Sequence, residues 1–191
     1  IETSWSDAGV IPGDPDWAGG TTYVHREETE IDASPAMAFK TICRIGGENG
    51  WYAADALWQI RGILDRVVGG PGLRRGRRSP DEIKYGDALD FWRVTGIEPG
   101  KSLSLRAEMK VPGVAMLEFE VEPRNGTTHL AQIARFQPRG LLGILYWFAV
   151  MPLHGYVFRS MLRGIREVAE AGVAESKNGE PSEASANNSH R

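Results

Sequence analysis

Two consecutive stretches near the middle of the chain alternate between apolar and polar side chains. From Leu103 to Val111 the odd-numbered residues are apolar and the even-numbered ones are polar or charged. After a Pro112-Gly113 turn, Ala115–Val121 keeps apolar residues at the odd positions, with Met116 and two glutamates between them. Because successive side chains of a strand point to opposite faces, this pattern predicts an antiparallel sheet with one wet and one buried face. Four residues are expected on the buried face: Leu103, Leu105, Leu117 and Phe119.

Other elements surround these two strands. Three further strands are predicted at Thr22–Ile31, Asp87–Ile97 and Thr127–Phe136. Ser34-Pro35 places a capping residue before a proline at the first helical position, which predicts a short helix to about Cys43. The apolar spacing from Trp51 to about Val68 predicts a second helix.

The segment Gly140–Phe158 contains no charged residue and is nearly long enough to cross a bilayer. We expect a long helix lying across the apolar face of the sheet, since that face needs a cover. The alternative is a membrane segment. Helical spacing continues through Arg159–Ala171, so the helix is predicted to extend to about residue 171.

The organisation along the chain has three parts. Residues 1–21 are rich in Gly, Pro and Asp and predict an irregular arm or linker, residues 22–171 form the folded domain, and residues 172–191 form a disordered tail. A length of 191 residues fits one domain. Because the chain opens at Ile1 rather than Met, we expect a piece of a longer protein.

Composition excludes several classes of site. A net charge of -3 does not favour a nucleic-acid partner. Cys43 is the only cysteine, which favours a buried structural thiol and a reducing, cytoplasmic compartment. His25, His129 and His154 are isolated in sequence, so no metal site is predicted.

The order of elements predicts an α+β fold of helix-grip type, in which a curved antiparallel sheet wraps around a long C-terminal helix. The bent sheet leaves room for an apolar cavity, which suits a small apolar ligand. Gln132 shares its strand face with Leu130 and Phe136, and its amide needs a partner in the ligand or in the core. The predicted ligand-binding residues are Trp51, Trp58, Trp92, Leu105, Phe119, Gln132 and Tyr146.

Glu48 and Asp55 flank Trp51 and Tyr52, and this position makes them candidates for catalysis. Carboxylates beside aromatic side chains can have a raised pKa and act as acids or bases. Alternatively, both carboxylates stabilise the positive end of the predicted second helix.

An arginine-rich segment follows that helix. Arg61, Arg74 and Arg75, with Arg66, Arg77 and Arg78, predict an anion site, because a guanidinium forks onto phosphate or carboxylate. The alternative is a solvated basic loop that pairs with glutamates of the first strand. Those glutamates are Glu27, Glu28 and Glu30.

Five stretches carry a resemblance to a known family. They are Gly46–Tyr52, Leu64–Arg78, Gly86–Arg93, Leu105–Pro112 and Pro138–Trp147. Together they resemble an uncharacterised bacterial domain family of the START and polyketide-cyclase type, with the match running from Trp5 to Ile165. Members commonly follow an NAD(P)-binding Rossmann domain similar to atypical short-chain dehydrogenases and sugar epimerases. The family supplies no catalytic residues to carry over.

The resemblance implies that binding of the small molecule and binding of NAD(P) belong to different domains. This chain has no G-x-G-x-x-G fingerprint, so any NAD(P) is expected in an absent N-terminal Rossmann domain, with no cofactor in this chain. We expect a domain that binds a small apolar molecule or shapes the substrate pocket of an oxidoreductase-like protein, without being catalytic itself. One alternative is a self-sufficient cyclase or dehydratase with a pocket carboxylate. Another is a domain for structural docking, or for membrane association through Gly140–Phe158.

Overall fold

The computed structural model describes residues 21–47, 50–52, 79 and 82–178. Within these residues the strands are β1 (Tyr23–Ile31), β2 (Ala88–Leu89), β3 (Trp92–Glu98), β4 (Ser102–Ala107), β5 (Gly113–Arg124) and β6 (Thr127–Pro138). The helices of the same residues are α1 (Pro35–Ile42) and α2 (Gly140–Asn178). The predicted α+β class is confirmed.

The six strands of the described residues form one antiparallel sheet in the order β1-β6-β5-β4-β3-β2. Neighbouring strands from β2 to β6 are joined in sequence, and β1 lies at the edge against β6. Asn125 and Gly126 both adopt positive φ, 44° and 95°, in the tight turn between β5 and β6. Such a turn twists in the same sense as the strands it connects, so it favours the long β5–β6 hairpin.

The alternation of β4 and β5 produces the predicted faces. Leu103, Leu105, Leu117 and Phe119 are at most 1% exposed and belong to the main core. The other face carries charged pairs, including Arg135 with Glu118 at 2.9 Å and Arg26 with Glu120 at 3.1 Å. The prediction of one buried and one wet face is confirmed.

Local signals also place α1. The Ser34 side chain accepts a hydrogen bond from the Met37 amide at 3.3 Å, and Pro35 occupies the first turn. These contacts satisfy the helix start that the sequence predicts. The thiol of Cys43, just after α1, is buried.

The single strand predicted at Asp87–Ile97 is wrong in detail. A turn at Asp90 and Phe91 divides it into β2 and β3, which pair with each other. Asp90 adopts a φ of 56°, a left-handed conformation that ends a strand. The strand that the sequence predicts up to Val111 also stops earlier, at Ala107.

Helix α2 differs from the prediction in two ways. It continues to Asn178, past the expected end at residue 171. Its first part does not lie flat across the sheet with its apolar residues covered: Gly143, Trp147, Val157 and Phe158 are buried, whereas most of Gly140–Phe158 is exposed. The helix is long and apolar enough to cross a membrane by length and composition, and 28% of its most apolar window is buried.

Several predictions concern residues outside the described part. The arm before residue 21, the arginine-rich segment and the chain after residue 178 all lie there, as does the second predicted helix beyond Tyr52. Trp51 and Tyr52 themselves form a turn, in which Tyr52 has a φ of 58°.

Candidate functional site between the sheet and the long helix

The candidate site lies on the sheet face that α2 crosses, at the β1 edge. Glu27 of β1, Gln132 of β6 and Phe119 of β5 are register partners. Directly opposed residues of antiparallel strands point to the same face, so these three side chains share the core side. His25 lies one row away, opposite Ala134.

Gln132 is the most unusual residue of this row. Its side chain is completely buried, yet neither Nε2 nor Oε1 has a hydrogen-bond partner. An unpaired buried amide is unfavourable by about 1–3 kcal/mol, and native proteins rarely leave one unsatisfied. This residue therefore offers one donor group and one acceptor to any molecule that reaches it.

A histidine and a glutamate lie beside the amide. Nε2 of His25 is 3.3 Å from Oε1 of Glu27, and their side chains are 19% and 24% exposed. The two atoms lack the geometry of a hydrogen bond. The contact is an ion pair only when the imidazole is protonated. Nε of Arg159, on α2, is 3.9 Å from the same carboxylate oxygen.

Aromatic rings from β1, β6 and α2 line this end of the interface. His154 stacks on Phe158 with centroids 5.0 Å apart, and His25 is 5.5 Å from Phe158. Trp147 stacks on Phe136 at 5.8 Å and meets His154 edge-on at 5.3 Å. The polar groups of the site therefore sit against flat, largely apolar surfaces that suit an aromatic ligand.

The other predicted ligand-binding residues are spread through the core. Leu105 and Phe119 are wholly buried, so a ligand reaches them only if the packing around them opens. The ring of Tyr146 lies 5.5 Å from Phe136, near the start of α2. Trp92 is 6% exposed and its Nε1 has no hydrogen-bond partner, and Trp58 lies outside the described residues.

Trp51 belongs to a separate arrangement at the opposite edge of the sheet. Its indole Nε1 donates a hydrogen bond of 2.8 Å to Oδ2 of Asp90, which also accepts the Gly47 amide at 3.2 Å. The Trp51 ring stacks on Phe91 at 6.0 Å. These contacts fasten Gly47 and Trp51 to the β2–β3 turn, which gives Trp51 a structural role at this edge.

The predicted catalytic and anion-binding residues lie outside the described part of the chain. This applies to Glu48 and Asp55 and to Arg61, Arg74 and Arg75. The glutamates offered as alternative partners of the arginines have neighbours within the sheet. Glu27 faces His25, Glu28 pairs with Arg26 and His129, and Glu30 pairs with Arg124.

Two of these wet-face carboxylates have perturbed acidity. The hydrogen bond from Arg26, followed by that from His129, holds the pKa of Glu28 below its usual 4.5. The Thr127 hydroxyl, followed by Arg124, lowers the pKa of Glu30 in the same way. Both are structural pairs on the opposite face from Gln132, so they have no part in the candidate site.

Metal chemistry finds no support in the part of the chain that the structure describes. No group of three or more His, Cys, Asp or Glu side chains there converges in a way that could hold an ion.

Sequence reasoning missed His25, Glu27 and His154 as members of one site. They come from β1 and α2, more than a hundred positions apart in the chain. One local signal was available for the first two. His25 and Glu27 occupy alternate positions of a strand, hence one face, and that face is set by the buried Ile31 at its end.

Comparisons with solved structures describe the fold. Norcoclaurine synthase from Thalictrum flavum, a point mutant in complex with a transition-state analogue, matches with a TM-score of 0.51 at 10% identity, over 81% of this chain and 98% of that chain. The Zhui aromatase/cyclase from Streptomyces sp. R1128 matches with a TM-score of 0.50 at 12% identity, over 80% and 96%. These likenesses confirm the predicted helix-grip arrangement of an antiparallel sheet and a long C-terminal helix.

Comparison at the sequence level gives the family. None of the curated proteins matches the chain. A family profile described as "Protein of unknown function (DUF2867)" matches residues 17–161, which include the whole sheet and the first half of α2. The chain therefore belongs to the DUF2867 family.

Proposed function

We propose that this chain is a ligand-binding domain whose site lies between the β1–β6 face and α2. The observation that carries the proposal is the buried Gln132 amide with both polar atoms unpaired. The ligand class that fits is a small aromatic molecule with a hydroxyl or carbonyl group. Its ring would stack among Phe136, Trp147 and Phe158, and its polar group would satisfy the amide.

Access to this site requires local opening. Gln132 has no exposed surface, so the ligand cannot enter while α2 keeps all of its contacts with the sheet. The start of α2 is attached on this side through few buried side chains, Trp147 first among them. A small displacement of this half of the helix exposes the row of His25 and the neighbouring row of Gln132. Opening of this kind is common at ligand-binding elements.

The wider context is also part of the proposal. The resemblance to domains that follow NAD(P)-binding Rossmann domains supports a role as the substrate pocket of a cytoplasmic oxidoreductase. In that arrangement this chain selects the substrate and excludes water, and hydride transfer belongs to the Rossmann domain. The 191 residues alone are then expected to bind ligand without oxidising NADPH.

A second candidate function is acid–base catalysis, favoured by the His25–Glu27 pair at 3.3 Å. A carboxylate beside an imidazole is a common arrangement for moving a proton. The structural neighbours include an aromatase/cyclase, so the fold accommodates such chemistry. The carboxylate of this candidate is Glu27, not Glu48 or Asp55 as the sequence suggested.

The binding proposal is tested with 2-naphthol and naphthalene, which differ by the hydroxyl group that Gln132 would recognise. We expect the protein to prefer 2-naphthol by about two- to tenfold, the value of one hydrogen bond. Gln132→Met should abolish the preference while keeping the volume of the side chain. Gln137→Met, on the same strand but the other face, is the control and should keep it.

Stability gives a second readout on the same variant. Because the amide is buried without a partner, Gln132→Met should raise the free energy of unfolding by about 1–3 kcal/mol in urea titrations. A loss of stability would mean that the amide has a structural partner. Equal affinities for the two probes in the wild-type protein would refute the proposed ligand site.

The acid–base candidate has its own test. We expect the protein to accelerate deuterium exchange at the α-carbon of 2-tetralone in D₂O, followed by NMR, and His25→Gln to remove this acceleration. His129→Gln is the matched control, since His129 contacts Glu28 at 3.2 Å on the opposite face. Exchange unaffected by His25→Gln would contradict the assignment.

A further inference from the structure

The first half of α2 presents a continuous apolar surface to solvent. Its large side chains are 44–73% exposed, and together we call them the apolar face: Leu141, Leu142, Leu145, Phe148, Met151, Leu153 and Tyr156. Soluble proteins rarely leave so many large apolar groups side by side in water, and such patches usually mark an interaction site.

The packing of α2 on the sheet leaves this face outward. Trp147 is 3% exposed and stacks on Phe136, so the side of the helix that carries Trp147, opposite the apolar face, faces the sheet. At Gly143 the helix approaches so closely that an added Cβ would lie 2.4 Å from the Pro112 carbonyl oxygen. These contacts hold the helix in a fixed rotation, and rotation about its axis cannot bury the apolar face.

Charge is distributed in an unusual way around this helix. No residue of Gly140–Phe158 is charged, and between Glu122 and Glu167 there is no acidic residue at all, although that interval contains six arginines. The whole chain, by contrast, carries a net charge of -3. Three of these arginines pair with glutamates, namely Arg124 with Glu30, Arg135 with Glu118 and Arg166 with Glu170. The basic character around the apolar face therefore rests on Arg139, Arg163 and Arg159, the last of which is also 3.9 Å from Glu27.

The arginines stand at both ends of the apolar face. Near its start, Arg106 and Arg139 line a surface hollow of about 420 Å³. Beyond its end, Arg159 and Arg163 continue the line of Leu141 and Leu145, because positions three, four and seven apart share one side of a helix. At about 1.5 Å per residue the apolar stretch between the two basic ends is roughly 23 Å long.

We propose that this face docks on the surface of an anionic phospholipid membrane. An apolar strip with basic residues at its ends, on a helix without an acidic residue before Glu167, is the pattern of a helix that lies in the interface. The apolar side chains enter the boundary of the acyl chains, and the arginines meet lipid phosphates on either side. The helix remains packed on the sheet, so the binding is peripheral and does not span the bilayer.

This choice of partner rests on charge. An interface with protein usually surrounds its apolar centre with polar groups of both signs. Here acidic side chains are missing along the whole helix face up to Glu167, which fits a uniformly anionic surface better than a protein one. The inference does not depend on the proposed ligand site.

The experiment is flotation of the 191-residue chain with vesicles of phosphatidylcholine containing 30% phosphatidylglycerol, in about 0.1 M salt. We expect the protein to float with these vesicles, to bind pure phosphatidylcholine more weakly, and to be released by about 0.5 M salt. Retention at high salt would indicate a spanning helix and would overturn the peripheral arrangement.

Two double variants separate the apolar and the basic contributions. Leu145→Ser with Phe148→Ser should weaken partition at least about tenfold, because two exposed apolar side chains no longer enter the interface. Arg159→Gln with Arg163→Gln should weaken binding to the anionic vesicles by about fivefold per arginine and leave binding to pure phosphatidylcholine unchanged.

Matched controls use exposed residues elsewhere. Val24→Ser with Tyr85→Ser removes two apolar side chains that are 50% and 74% exposed. Lys101→Gln with Arg124→Gln removes two positive charges at the far ends of strands. Both controls should float like the wild type, and circular dichroism verifies the fold of every variant.

Besides retention at high salt, three results would overturn the proposal. The wild type could fail to float with anionic vesicles at low salt, or the apolar variant could float equally well. A third is a dimer in sedimentation velocity that Leu145→Ser with Phe148→Ser dissociates, without any vesicle binding. That result would assign the apolar face to a second copy of the chain.

Discussion

The two halves of helix α2 make opposite use of apolar side chains. From Met161 to Ala169 the buried residues recur at helical spacing and are at most 3% exposed: Met161, Leu162, Ile165 and Ala169. Between Leu141 and Tyr156, seven large apolar residues stay in solvent while Trp147 is buried. The less apolar half is therefore the one that completes the core.

The difference follows from what each half packs against. The second half contacts α1 and the inner face of the sheet, and Glu170 accepts the Asp32 amide at 3.1 Å at the end of β1. The first half passes along β1 and the end of β6, where Trp147 stacks on Tyr23 and Phe136 and the edge of Phe148 also meets Tyr23. Composition alone thus does not tell which apolar residues are buried, because burial depends on what lies opposite.

The largest expected effect comes from truncating a large aliphatic side chain to alanine in each half of α2. Ile165→Ala should lower the free energy of unfolding by about 2–5 kcal/mol, because it leaves a cavity beside a fully buried position. Leu145→Ala, where the side chain is 57% exposed, should change it by less than about 0.5 kcal/mol. Urea titration monitored by tryptophan fluorescence measures both, and similar losses would mean that the first half is covered in solution.

A glycine pair should give effects of opposite sign. An added Cβ at Gly164 would lie 2.5 Å from the Tyr52 carbonyl oxygen, so Gly164→Ala should destabilise the protein by about 1–3 kcal/mol. At Gly155 the nearest atom is the flexible end of Arg159 at 3.3 Å. Gly155→Ala should therefore stabilise by about 0.5–1 kcal/mol through helix propensity. Thermal melts of both variants decide, and a stabilising Gly164→Ala would show that the second half is not held against Tyr52.

The smallest effect is expected from acid, and it should spare the first half of α2. Glu28 and Glu30 have a lower pKa in the folded state than the usual 4.5, so the unfolded chain binds their protons first as the pH falls. Stability from these pairs is present above about pH 4.5 and is lost below it as the folded carboxylates are protonated. The fall in melting temperature from pH 6 to pH 3.5 should be shallower in Glu28→Gln.

The comparison of the two halves of α2 makes the acid test specific for the first half. Because Gly140–Phe158 contains no carboxylate, protonation of Glu28 and Glu30 should leave the exposure of the apolar face unchanged. Cleavage by chymotrypsin at its exposed aromatic residues monitors that exposure, with cleavage at Tyr85 as the reference. Faster cleavage within the first half alone at pH 4 would show that its contacts are the acid-sensitive ones.

The sequence predicted the sheet well because the alternation of apolar and polar residues within one strand identifies its two faces. Alternation in β4 and β5 identifies Leu105 and Phe119 as buried without knowledge of any partner. The start of α1 was equally readable, since Ser34 and Pro35 act within one turn. The turn at Asp90 was not, because it depends on the Gly47 amide and the Trp51 indole, which come from a distant segment.

Of the residues in the candidate site, the sequence singled out Gln132 and Phe119 but not His25, Glu27 or His154. Gln132 stands out because an amide on an apolar strand face requires a partner wherever the strand lies. His25, Glu27 and His154 carry no such signal, since each is an ordinary residue until α2 crosses β1. The ligand-binding roles of Trp51, Trp92 and Tyr146 stay predictions.

By itself the sequence determined the α+β class, the two faces of the central strands, the cap of α1 and the presence of a long C-terminal helix. All of these depend on residues within a few positions of one another. Only the tertiary structure decided which side of α2 meets the sheet and which side faces solvent. A helical stretch apolar on every side contains no periodic signal for its own orientation, so the choice was left to the contacts of Trp147, Gly143 and the sheet edge beneath them.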